Sequence, residues 1–175
     1  MNDYIATSLS RDTIRKITLG LRQILGLENE VFFPVIEVLE IMPDIFGEED
    51  FMFEVVPDEE FPDSVQGDTD VMNHYMRIKE SVYDGAYAGS GRDRYSIAHE
   101  IGHYVLMSVM GFGFRRNLKK CNIKPYEDPE WQADCFAGEL LMPYHLIKEM
   151  SREEIMQKCK VSFTAACNQS KYALH

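Results

Sequence analysis

His99-Glu100-Ile101-Gly102-His103 sets two histidines four residues apart, with a glutamate directly after the first. On a helix, residues four apart share a face, so both imidazoles aim at one point. The glutamate falls about 100° further round, close enough to reach a water beside that point without joining the histidines. A helical His-Glu-x-x-His segment reads as a zinc site with the glutamate as general base. Two imidazoles leave such an ion short of ligands. Catalytic zinc takes three protein groups plus an open position, and two histidines with one glutamate form a known set. The reading therefore requires a carboxylate from a second element.

Glu130 is the best-placed candidate, with Asp134 one helical turn later on the same face. A metal-bound histidine usually donates its other ring N–H to a carboxylate, which fixes its tautomer. Glu130-x-x-x-Asp134 thus offers a ligand and such a supporting partner together. Glu127, Asp128 and Glu139 are rivals. The first two precede Pro129, which favours an extended or turn conformation before it and a helix start after it. Glu139 lies about 180° away from Glu130 round the helix and should face elsewhere. The bland alternative for the whole pattern is a core helix with a partly exposed histidine pair.

Arg92-Asp93-Arg94-Tyr95-Ser96-Ile97-Ala98 runs directly into the histidine motif, and Glu130-Trp131-Gln132-Ala133-Asp134-Cys135-Phe136-Ala137-Gly138-Glu139-Leu140-Leu141-Met142-Pro143 follows. Together they resemble the ImmA/IrrE family of zinc metallopeptidases, whose hallmarks are R-F-T-I-A-H-E-x-G-H and E-x-x-A-[DN]-x-F-A-x-x-L-L-M-P. Tyr95 and Ser96 stand where the family usually has Phe and Thr. The resemblance covers roughly residues 10–170, and its specific part is 92–143. It implies an α+β, zincin-like (gluzincin-like) domain, mostly helical with a small β-sheet and the HExxH segment on its active-site helix. It implies Zn²⁺ as cofactor, His99, His103 and Glu130 as ligands, and Glu100 as base. It also implies a protein substrate, a helix-turn-helix transcriptional repressor.

At 175 residues the chain is expected to form one domain, 1–175, long enough for a hydrophobic core. A composition 45% hydrophobic and 27% charged is that of a soluble globular protein. No apolar run approaches the roughly 18 residues of a membrane span, and the first ten residues lack a signal-peptide pattern, so a cytoplasmic protein is expected. The formal charge of −11 argues against general nucleic-acid binding, which is driven by phosphate neutralisation. Arg115, Arg116, Lys119, Lys120 and Lys124 are a local exception. They read first as a solvated loop between two helices, and second as a dock for an acidic substrate segment. Cys121, Cys135, Cys159 and Cys167 contain no C-x-x-C pair and are expected to be reduced thiols.

Hydrophobic periodicity and caps predict the remaining elements. Ser10 caps a helix from Arg11 to Leu27, and Pro34 opens another to about Ile45, with Pro43 limiting its regularity. Phe51–Val56 reads as a strand, residues 57–70 as an acidic exposed loop, and Val71–Lys79 as a strand with Met72, His74, Met76 and Ile78 on one face. Ser81–Tyr87 is a short helix closed by a Gly89-Ser90-Gly91 turn. The motif helix spans about Arg92–Met110 and buries Ala98, Ile101, Val105 and Leu106. Glu130–Leu141 buries Ala133, Phe136, Ala137 and Leu140. Short helices follow at 144–150 and 152–158, and a last one runs to Leu174 from a cap at Ser162 or Thr164. There are no repeats and no linker.

Tyr126 and His145 have the chemistry of oxyanion donors, although a packed Tyr and a capping His are the commoner uses. Arg92 and Arg94 read as helix-start packing or substrate contacts. Three functional readings follow: a zinc endopeptidase acting on a regulatory protein, a catalytically silent zinc module that docks to a transcription factor or toxin, and a structural zinc site. An intact Glu100 favours the first, since a pure binder needs no base. Structural sites are closed and Cys-rich, unlike this one.

Overall fold

The computed structural model describes residues 4–47, 51–109, 111, 114–116 and 123–172. Its fold is α+β, mostly helical, with a three-stranded sheet and a separate strand pair. The order is β1 (Tyr4–Ala6), α1 (Arg11–Ile24), α2 (Val35–Phe46), β2 (Met52–Val56), β3 (Gly67–Asp70), β4 (Tyr75–Lys79), α3 (Glu80–Tyr87), α4 (Gly91–Tyr104), β5 (Phe114–Arg116), α5 (Pro129–Leu141), α6 (Tyr144–Ile147), α7 (Arg152–Cys159) and α8 (Phe163–Ser170).

The helix starts follow local chemistry. Ser10 accepts from Thr13 N–H at 3.1 Å, Asp128 from Glu130 N–H at 3.0 Å, and Ser162 from Ala165 N–H at 3.1 Å. Each hydroxyl or carboxylate satisfies a donor that the first helical turn leaves open. Ser162 rather than Thr164 caps α8, which ends at Ser170; Leu174 lies outside the described residues. Pro43 sits inside α2 without ending it. α4 continues directly into a π-helical turn, Val105–Val109, where a regular α-helix was expected to run on to Met110, itself outside the described residues.

The sheet order is β2-β4-β3, with β2 parallel to β4 and β3 antiparallel to it. This corrects two expectations. Residues 67–70 are a strand, not loop, and the strand expected at Val71–Lys79 begins only at Tyr75. The cause is turn chemistry. Asp70 Oδ1 accepts from the N–H groups of Met72 and Asn73, both at 3.1 Å, so the chain reverses where continuous strand was expected. Met72 is therefore exposed and His74 has φ +56°, while Met76 and Ile78 are buried. β1 and β5, paired antiparallel, were not foreseen; β5 takes Arg115 and Arg116 out of the expected loop. Lys119, Lys120 and Cys121 lie outside the described residues. Cys135, Cys159 and Cys167 are free thiols. Burial pushes Cys135 up to about 12 and Cys159 up to about 11, so both stay protonated.

The core is built around α4. Ala98, Ile101, Val105 and Leu106 are buried on its back face, as are Ala133, Phe136, Ala137 and Leu140 of α5. Two arginines are buried with them. Arg22 donates to the carbonyls of Leu140 and Glu30. Arg94 donates to Phe33 O at 2.7 Å and Lys160 O at 3.1 Å, which makes it a packing residue. Burial lowers the pKa of both guanidiniums, and their forks tie the 28–33 segment to the helices behind it.

Two glycines mark close approaches. A Cβ on Gly102 would meet Phe136 of α5 at 3.0–3.2 Å, so its absence brings α4 and α5 together. A Cβ on Gly91 would lie 2.4 Å from the Val161 carbonyl carbon, which is backbone and cannot swing away. Gly91→Ala should therefore cost about 1–3 kcal/mol, the usual price of overpacking. A urea unfolding curve reads the loss as a lowered midpoint; an unchanged midpoint would show that the 161–162 backbone does not press on α4.

Candidate metal centre

α4 carries His99 and His103 on one face, and α5 lies across it with Glu130 and Asp134. The Nε2 atoms of the two histidines are 3.0 Å apart. Glu130 Oε2 is 3.4 Å from His99 Nε2, and its Oε1 is 3.6 Å from His103 Nε2. His99, His103 and Glu130 are the group that could hold a metal ion among the described residues. Donors bonded tetrahedrally to zinc at about 2.0–2.1 Å are themselves about 3.3 Å apart, and these separations bracket that value. Two ring nitrogens and a carboxylate oxygen this close need a cation between them, a proton or a metal. The donor set fits zinc.

Asp134 Oδ1 lies 2.9 Å from His99 Nδ1. A carboxylate only accepts, so Nδ1 carries a hydrogen and Nε2 is the ring nitrogen that faces the centre. Tyr95 O–H donates to the Asp134 backbone carbonyl at 2.7 Å, pinning α5 to α4 beside this pair. Burial raises the Tyr95 phenol well above its ordinary range, so it remains a donor.

Glu100 points into the same cleft, and its Oε2 accepts from the Thr69 hydroxyl at 2.7 Å. Thr69 belongs to β3, the edge strand of the sheet. Residues 64–69 form one wall of a cavity of about 460 Å³, with α4 and α5 opposite. Sequence reasoning missed this wall. Gly-Asp-Thr-Asp has no apolar alternation, so nothing in it announces a strand.

The other sequence candidates fall outside the centre. Asp128 caps α5. Glu139 is buried and paired with Arg11 at 3.1 Å and Arg15 at 2.9 Å. Glu127 is not in the cleft wall. Neither expected oxyanion donor lines the cleft: His145 Nε2 donates to Glu28 O at 2.8 Å, and Tyr126 stands exposed beside Lys124. Among the described residues, the neutral side-chain donors that line the cleft are Ser64, Gln66, Thr69, Tyr95 and Ser96.

A histidine pair on one helix completed by a carboxylate from a second is the arrangement of a metallopeptidase-type site. Residues 62–171 match the family model of the M78 peptidases, described as the IrrE N-terminal-like domain, and the chain belongs to that family. Among solved structures it is similar to a Mycobacterium tuberculosis transcriptional regulator, with a TM-score of 0.58 at 15% identity. The similarity covers 89% of this chain and 46% of that one, so this chain spans less than half the regulator's length. No curated protein matches by sequence. No helix among the described residues is long and apolar enough to cross a membrane.

The electrostatics of the metal-free centre generate a pH prediction. Burial opposes charge on His99, but hydrogen bonds to Asp134 and Glu130 outweigh it and push the ring from 6.5 up to about 10. Hydrogen bonds from His103 and His99 hold the Glu130 carboxyl well below its ordinary 4.5. A raised histidine stabilises fully below its unfolded value and loses that contribution as pH rises through the folded one. A depressed carboxylate stabilises above its unfolded value and loses that contribution as pH falls. Metal-free protein should therefore lose stability from this cluster as pH rises from 6.5 towards about 10, and as it falls below 4.5. Thermal melts across pH with chelator present, wild type against His99→Ala, test this; the same high-pH slope in both would refute it.

Proposed function

We propose that the protein is a zinc-dependent endopeptidase that cleaves a regulatory protein, a helix-turn-helix repressor being the class its family resemblance implies. The observation that carries the reading is the convergence of His99, His103 and Glu130 with Glu100 beside them, its carboxylate held by a neutral hydroxyl rather than by a cation. A carboxylate spent in an ion pair is a poor proton acceptor; among the described residues this one is hydrogen-bonded at Oε2 alone, by Thr69.

His99, His103 and Glu130 would hold the ion. When bound, zinc polarises a carbonyl and lowers the pKa of water from about 15.7 to around 7. Asp134 keeps His99 in the tautomer that offers Nε2. Glu100 accepts the proton of the attacking water and delivers it to the leaving amine. Thr69 fixes the Glu100 carboxylate through Oε2, leaving Oε1 for that transfer. Among the described residues β3 pairs with β4 alone, and its other edge in the cleft wall suits an extended peptide added as a further strand.

Two measurements test the proposal. His103→Ala should abolish stoichiometric zinc binding, and Asp134→Ala should weaken zinc affinity or activity about 10- to 100-fold, the usual effect of losing a ligand's supporting carboxylate. Full zinc occupancy in the His103 variant would overturn the ligand assignment. Glu100→Gln should keep zinc and fold while cleavage of a co-encoded repressor falls about 10²–10⁴-fold. A zinc-loaded Glu100→Gln protein that still releases repression in full would replace the peptidase with a docking module.

A further inference from the structure

A second cavity, of about 550 Å³, opens beside the metal cleft. Tyr95, Ser96 and Asp134 line both, so the two are adjoining compartments rather than separate sites. The second compartment is lined by Arg11, Arg92 and Lys171, in a chain whose formal charge is −11. Arg11 is paired with Glu139, but Glu139 also pairs with Arg15, which leaves that cluster one positive charge in excess. Lys171 Nζ meets a neutral acceptor, Asn168 Oδ1, at 3.1 Å. Arg92 has no carboxylate partner among the described residues, and only its backbone carbonyl is engaged by Ser96. The one carboxylate in the wall among the described residues, Asp134, is committed to His99 at 2.9 Å. The Arg11 guanidinium lies 3.7 Å from the centre of the Tyr172 ring, which holds it in place, and Trp131 forms the adjoining wall.

Arg92, Ser96 and His99 follow one another along a single face of α4. Seven residues of helix advance about 10.5 Å at roughly 1.5 Å each. An extended peptide advances about 3.3 Å per residue, so Arg92 stands about three residues along a bound strand from the metal. We propose that this compartment is the specificity subsite of the cleft and takes an Asp or Glu side chain of the peptide, about three residues from the scissile bond. The inference rests on the peptidase reading. The excess positive charge selects the carboxylate, and the aromatic wall covers its methylene stem.

The test uses the zinc-loaded full chain and a tryptic peptide library prepared from a bacterial proteome, with cleavage positions read by mass spectrometry. Asp and Glu should be enriched about two- to fivefold over Asn and Gln at one position two to four residues from the cut, the effect of one exposed ion pair. Arg92→Glu should abolish or invert that enrichment at unchanged zinc content. If that variant does not fold, Arg92→Gln should remove the enrichment without inverting it. Cleavage with no acidic preference, or a preference that survives both variants, overturns the subsite and leaves the peptidase standing. An uncut library counts against the peptidase instead, and the subsite is then decided by the peptides that co-elute with zinc-loaded protein in gel filtration. Acidic enrichment that Arg92→Gln removes supports it, and its absence overturns it.

Discussion

Phe136 presses against the backbone of α4 at Gly102, and that contact sets how far apart the two halves of the centre lie. His99 and His103 are rigid on one helix; Glu130 and Asp134 are rigid on the other. Donor separations of 3.0–3.6 Å leave little tolerance, because a shift of α5 by one methyl group would carry Glu130 out of reach. A glycine inside a helix costs about 1 kcal/mol against alanine. Here that cost is offset by an apolar crossing in which Ala98, Ile101, Ala133, Ala137 and Leu140 are buried beside it.

The crossing is held from outside by ionic clamps. Glu139, buried on α5, takes Arg11 and Arg15 from α1, so α5 is fixed against α1 as well as α4. Arg22 and Arg94 are buried with no carboxylate at hydrogen-bond distance among the described residues, and they donate to backbone carbonyls of the 28–33 segment, Leu140 and Lys160. A guanidinium suits this use because its fork reaches two carbonyls at once and its planar face lies on a ring, as Arg94 does 4.4 Å from the centre of Phe32. Charges usually associated with surfaces are thus part of the frame that orients the centre.

Helices and donors were legible in the sequence because each carries a local signal. Ser10 and Ser162 announce helix starts through capping chemistry, Pro129 marks the start of α5, and the four-residue spacing of His99 and His103 fixes a shared face whatever surrounds it. The family membership shown for residues 62–171 likewise follows from residues that stand close together in the chain. What failed lacks such a signal. β3 is polar at Asp68, Thr69 and Asp70 and becomes a strand only because β4 pairs with it. Residues 71–74 carry strand-like alternation, yet the Asp70 carboxylate captures two backbone donors and turns the chain. Tyr126 and His145 were chosen for nearness to α5 in sequence, and nearness along a chain does not say which side of a helix a neighbouring turn reaches.

The polar make-up of β3 has a consequence for how the molecule behaves in company. A free sheet edge is a template for any extended chain, including another copy of the same strand, and long apolar edges invite fibrils. β3 is four residues long and carries no apolar side chain, and its carboxylates are already engaged, Asp68 by Arg77 of β4 at 2.6 Å and Asp70 by the turn that follows. Two copies meeting edge to edge would gain a few backbone hydrogen bonds with no apolar area to add to them. An edge can therefore stay open in the cleft wall without becoming a seed for aggregation.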